Sequence, residues 1–177
     1  PSVKNQKIFD SSLYTREPWA LPRQYHNLKI GENDMIHLVD IDNETGDDSL
    51  KVSEDQQSYV CTSLVMLARA WLHRKFRPRV FNVYDDETPV GMGMYLDDPE
   101  KNAYDFCQLF IDKRYQGKGY GKAAVGLVLE AMKEEGKYPK VSMCYVEGND
   151  ASRKLFEQFG FVEVSHPWDE IFMERML

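Results

Sequence analysis

Gln116-Gly117-Lys118-Gly119-Tyr120-Gly121-Lys122 is where this chain changes character. The preceding residues 104–111 are a nearly continuous apolar run, which reads as a central strand. From Tyr120 to about 133, Val125, Val128, Leu129 and Met132 recur at helical spacing, and Gly136 ends the pattern. The stretch is thus a glycine-rich loop from a strand into a helix. A helix N-terminus offers free N–H groups and the positive end of a dipole. Glycines let backbone approach a phosphate closely, and Lys118 and Lys122 add countercharge. The loop reads as a pyrophosphate cradle; the plain alternative is a basic glycine turn with no ligand. A Walker A loop is excluded, because Ala123 follows Gly121-Lys122 and Gln, not Gly, stands at 116. A Rossmann fingerprint is excluded by the GxGxG spacing and by the loop's place two-thirds along the chain.

Working outward, residues 1–34 read as a polar, irregular extension whose aromatics Phe9, Tyr14, Trp19 and Tyr25 pack in part on the body. Residues 35–41 read as a first strand and 43–53 as a link. Residues 54–74 read as one long helix, opened by a capping box of Ser53 with Gln56. Residues 80–84 and 90–95 form a hairpin around the turn 85–89, and 97–102 is a second turn. Residues 141–146 are a strand. Asn149 or Asp150 caps a helix to 158 that Gly160 ends, and 161–164 with 171–176 close as a hairpin. This order predicts a single α/β domain over 35–177.

The 177 residues carry 22 basic and 29 acidic side chains, a net charge of −7, which argues against a nucleic-acid partner. Residues 31–60 hold nine acids against Lys51 alone, whereas 113–122 hold four bases and no acid. No apolar stretch reads as a signal peptide or a membrane span. Three cysteines without a CxxC pair fit a reducing cytoplasm. Cys107 and Cys144 read as buried strand cysteines, the four histidines lack metal-ligand spacing, and no metal is expected. Met92 and Met94 read as core.

Leu109-Phe110-Ile111 followed by Gln116-x-x-Gly119-x-Gly121 resembles motif A of the GNAT superfamily of acetyl-CoA-dependent N-acetyltransferases. Arg114-x-x-Gly117-x-Gly119 is a second register; the Gln116 register has the usual spacing from the strand. Asn149-x-x-Ala-x-x-Leu155-Phe156-x-x-Phe159-Gly160-Phe161 resembles the family's motif B. Residues 50–60 and 88–95 are most similar to bacterial polyamine (spermine/spermidine) acetyltransferases.

The resemblance implies a mixed, mostly antiparallel sheet, splayed between its fourth and fifth strands and flanked by helices. Acetyl-CoA would lie in the gap. Its pantetheine would pair with Leu109, Phe110 and Ile111. Its pyrophosphate would rest on Gln116, Gly117, Lys118, Gly119, Tyr120, Gly121 and Lys122. Asn149, Ser152, Lys154 and Phe156 would border it, Asn149 doubling as a helix cap. The implied chemistry is direct attack of a neutral amine on the thioester through a tetrahedral oxyanion. An alkylammonium has a pKa of about 10, so a base or water chain must take its proton.

Two positions depart from the family pattern. The usual tyrosine proton donor is replaced by Phe156, which leaves Tyr145 as the candidate. Cys107 and Gln108 occupy the place of a strand carboxylate, with Asp105 and Glu147 the nearest acids. The acceptor implied is a small-molecule amine, and the acids Asp40, Asp42 and Glu44 suit a polyamine or simply form a solvated face. Two other readings stand beside it: an acyl-CoA-binding module with little transfer, and a protein or peptide N-acetyltransferase. A homodimer is the assembly the family implies.

Overall fold

The computed structural model describes residues 27–29, 35–41 and 49–177. The aromatics of the N-terminal extension, with Asp42 and Glu44, lie outside them. The sheet starts earlier than the sequence suggests, because β1 (Asn27–Lys29) pairs antiparallel with β2 (Met35–Asp40) inside the segment read as irregular. β3 (Arg79–Asp85) and β4 (Thr88–Asp98) form the expected hairpin. β5 (Ala103–Ile111), β6 (Lys140–Val146), β7 (Val162–Ser165) and β8 (Glu170–Met176) complete one eight-stranded sheet, ordered β1-β2-β3-β4-β5-β6-β8-β7.

Every neighbouring pair is antiparallel except β5 and β6, which are parallel. The predicted helix over 54–74 is not one element. Glu54–Gln56 is a single 3-10 turn, and α1 begins only at Ser63, running to Leu72. Thr62 is its cap, accepting from the Val65 N–H. The Ser53 hydroxyl bonds the Gln56 side chain (3.0 Å) rather than a backbone N–H, so no capping box forms. α2 (Tyr120–Glu135) and α3 (Asp150–Glu157) stand where the spacing predicts them, with Gly136 left-handed at the end of α2.

The two sheet faces bury separate cores. Residues of α2 and α3 cover one with Phe81, Val83, Phe106 and Met143. α1 covers the other through Met66, which packs with Leu50, Met92, Met94 and Phe110. Gly93 is where close approach forbids a side chain, since a Cβ there would lie 2.4 Å from the Phe81 ring.

Candidate active site

β5 and β6 pair only at Tyr104↔Val141 and Asp105↔Ser142. Beyond that crotch they part, and residues 106–111 make no ladder with β6. Against β4, the register slips between Met94 and Leu96, which lie opposite Gln108 and Asp105. This places an extra residue in β5. The bulge changes the alternation, so Cys107 and Gln108 both turn toward the α1 side. The gap is a cleft of about 350 Å³.

The cleft gathers most of the residues that the sequence singles out. Leu109, Phe110 and Ile111 line its β5 side. Gln116, Gly117, Gly119, Tyr120 and Gly121 line the glycine-loop end, and Tyr145, Asn149, Ser152 and Phe156 line the opposite side. Lys118, Lys122 and Lys154 do not line it. They are exposed, and the Lys118 ammonium sits 5.7 Å over the Tyr115 ring.

Gly117 and Gly119 have φ of 77° and 92°, and nothing lies within 4 Å of where a Cβ would stand on either. That empty approach, at the N-terminus of a helix of 16 residues, suits a phosphate. Tyr120 is an anchor, since its hydroxyl donates to Asp85 Oδ2 (2.5 Å) on β3. Asn149 caps α3 by accepting from the Ser152 N–H (3.1 Å). Phe156 is held edge-on by Phe106 and Phe161, at 5.5 and 5.2 Å, contacts worth about 0.5–1.5 kcal/mol each. Burial raises the pKa of Tyr145, so its hydroxyl is a phenol at neutral pH.

The segment from Leu50 to Cys61 runs over the cleft as a strap, and from Glu54 onward it replaces the start of the helix that the sequence predicts. Lys51 N–H donates to Asp112 Oδ2 (2.8 Å), and Lys113 N–H returns to Lys51 O (2.9 Å). Gln116 Nε2 donates to both Gln56 Oε1 and Ile111 O, each at 2.8 Å. At the far end, Cys61 Sγ donates to Gln108 Oε1 (2.8 Å) while Gln108 Nε2 donates to Cys61 O (2.9 Å). Gln108 is thus a fastening. Tyr59 lines the cleft from this strap, and its hydroxyl would lie 3.5 Å from a Cβ on Gly148, at the opposite lip. The signal for the strap was a polar surplus, Ser53-Glu54-Asp55-Gln56-Gln57-Ser58, too long for one helix turn.

Asp112 is buried at the root of the loop. Burial alone would raise its pKa, but the Arg114 side chain and the N–H groups of Arg114 and Lys51 outweigh that and hold it at about 2. Asp105 is pushed the other way, upward, by burial. Neither Asp105 nor Glu147 lines the cleft, and among the described residues no carboxylate does. Glu147 is exposed, 3.8 Å from the His166 ring. Of the nine acids over 31–60, only Asp40, Glu54 and Asp55 are described, and none reaches the cleft. Cys107 and Cys144 correct their reading as buried cysteines, being half-buried and on the cleft wall. Among the described residues no cluster of His, Cys, Asp and Glu could hold a metal ion, and no helix is long and apolar enough to cross a membrane.

The chain is also similar to proteins already known. Residues 20–161 match the acetyltransferase (GNAT) family. The chain belongs to this family. It is 31% identical over 132 residues, 71% of this chain and 86% of the relative, to a spermine/spermidine N(1)-acetyltransferase of Bacillus subtilis (strain 168). Two solved structures share the GNAT fold at lower identity. One is a domain from Methanocaldococcus jannaschii: TM-score 0.65, 20% identity, 81% of this chain and 99% of that one. The other is spermidine N-acetyltransferase from Vibrio cholerae, solved with CoA and spermine: TM-score 0.64, 19% identity, 80% and 95% coverage. The chain is accordingly an acetyl-CoA-dependent acyltransferase.

Proposed function

We propose that the chain acetylates a primary amine of a polyamine such as spermidine or spermine, with the β5–β6 cleft as its active site. The observation that carries this reading is the parting of β5 from β6 beyond Asp105, which leaves strand backbone free to hold an extended pantetheine. The polyamine comes from the 31% identical relative. Leu109, Phe110 and Ile111 would pair with the pantetheine, and the loop 116–122 would hold the pyrophosphate, Lys118 and Lys122 acting from its outer side. Asn149, Ser152, Lys154 and Phe156 would border the arm. The bulge at Cys107 and Gln108 would aim a backbone N–H at the oxyanion.

Two side chains would move protons. Tyr145 would donate to the departing thiolate, its raised pKa keeping the proton available. Asp105 is favoured over Glu147 as the base, acting through water, because it stands in the last paired step before β5 and β6 part and burial raises its pKa. The cytoplasm, where acetyl-CoA and polyamines coexist with free thiols, is the location this chemistry suits, and a homodimer is the assembly that membership of the family suggests.

The experiment is a comparison of amine acceptors with acetyl-CoA as donor, with products identified by mass spectrometry. Mono-acetylated spermidine should form with a kcat/KM at least ~10-fold above that for peptide N-termini. Preference for peptides would favour the protein acetyltransferase, and binding of acetyl-CoA without any product would favour the acyl-CoA-binding module.

A further inference from the structure

We propose that Cys107 and Cys144 form a thiol pair at the acyl end of the cleft, and that coenzyme A disulfide is the small disulfide that joins them. The inference rests on the reading that the cleft takes coenzyme A. The last paired residues of the parallel strands are Asp105 and Ser142. Two residues further along each strand are Cys107 and Cys144, on the two diverging walls and electrostatic neighbours of one another. Cys107 packs with the α1-side core. On β6, Val141, Met143 and Tyr145 belong to the α2-side core, so Cys144 between them turns to the same side as Cys107. Both thiols line the cleft, and each is an electrostatic neighbour of Asp105. Cys61 does not line it and is tied to Gln108.

The glycine loop fixes the phosphate end of a bound coenzyme at the far end of β5, so its sulfur end points toward the crotch and these thiols. A coenzyme A disulfide brought in by the same contacts would present its S–S bond there. The Cys144 thiolate attacks first, since the Cys107 thiol donates to the Asp105 carbonyl (3.4 Å). The S–S bond breaks, one coenzyme A leaves as thiolate and takes up a proton, and Cys144 carries the other as a mixed disulfide. Cys107 then loses its proton and attacks the Cys144 sulfur, releasing the second coenzyme A. Two protein thiols are oxidised and one coenzyme A disulfide is reduced to two thiols. A protein disulfide needs Cα atoms within about 4.4–6.8 Å. The joined pair would therefore hold β5 and β6 together where a pantetheine must pass between them. Burial pushes the Cys144 thiol up to about 11, so exchange is slow near neutral pH and quickens as pH rises.

The test incubates the reduced full chain with coenzyme A disulfide or, separately, with oxidised glutathione, and maps the products by mass spectrometry. The expected result is loss of two hydrogens with Cys107 linked to Cys144, at least ~10-fold faster with coenzyme A disulfide. Activity should fall in step and return with dithiothreitol. In C107S the reaction should stop at coenzyme A on Cys144; should that variant not fold, the wild-type map decides alone. No linked pair, equal rates with both disulfides, or equally rapid modification of Cys61 would each overturn the proposal. Calorimetry of acetyl-CoA binding to the reduced chain reads the cleft assignment separately. An unreactive pair in a chain that binds acetyl-CoA overturns the thiol proposal alone.

Discussion

On the proposed mechanism, Phe156 and Tyr145 are the two residues that bear on proton transfer to the thiolate. Phe156 presents an apolar edge to the cleft, fixed by two other rings, and cannot donate. Tyr145 faces the same space with a protonated hydroxyl. Tyr145→Phe is expected to lower kcat about 10-fold or more, with the KM for acetyl-CoA unchanged. Phe156→Tyr should add little to the wild type but restore much of the loss in the double variant. Steady-state kinetics on the three proteins checks this, and a Tyr145→Phe variant as fast as wild type contradicts it. Asp105 makes a second prediction at this scale. Its raised pKa means that the carboxylate forms only above the ordinary range of about 3.9, so kcat/KM should rise with pH along a limb displaced upward. Asp105→Asn should abolish that limb and lower kcat. The phenylalanine was plain in the sequence, whereas the choice among acids was not, because it depends on which strand face survives the bulge.

Among the elements, the strap over Leu50 to Cys61 matters most and was least legible. Tyr59 extends the helical spacing of Leu64, Leu67, Ala68, Trp71 and Leu72 back into it, but α1 begins only at Ser63, because tertiary bonds to Asp112, Gln116 and Gln108 outcompete continued helix. The glycine loop, α2 and α3 were legible because their punctuation is local: left-handed glycines at 117, 119 and 136, and a side-chain cap at Asn149. β1 was hidden because three residues are too few for an alternating pattern. Asp112 joins strap to loop, and its replacement by Asn should cost about 1.5–3 kcal/mol in chemical denaturation. The KM for acetyl-CoA should rise as the loop loosens. The sign of its pH effect follows from a lowered native pKa. Its stabilisation is complete above the unfolded value of about 3.9 and drains away as pH falls toward about 2. Acid titration of the Asn variant should lack that step.

Across the whole molecule, charge is divided between two jobs. The end of the sheet away from the glycine loop holds a buried network, with Asp97 accepting from Arg79 (2.5 Å), Arg77 (3.2 Å) and Lys137, and Arg79 also pairing with Glu135. Burial works to raise the Asp97 pKa, and the Lys137 and Arg79 contacts overcome it and lower it. Asp97→Asn removes the carboxylate shared by Arg79, Arg77 and Lys137 and leaves Arg79 with Glu135. It should cost about 1.5–3 kcal/mol in thermal or denaturant unfolding, with little change in kcat at temperatures where the variant stays folded. None of this network was legible as a unit, since its members are scattered from 77 to 137 and only the folded sheet gathers them. At the cleft the balance differs. Its described walls are neutral, so attraction of a polycation falls to charges beyond them. The direct measurement of the central claim is thiol release from acetyl-CoA on addition of spermidine to the purified chain. The account predicts one free thiol per acetylated spermidine, with turnover lost when the pair at Cys107 and Cys144 is joined. Tight acetyl-CoA binding with no thiol released above the spontaneous rate would contradict it.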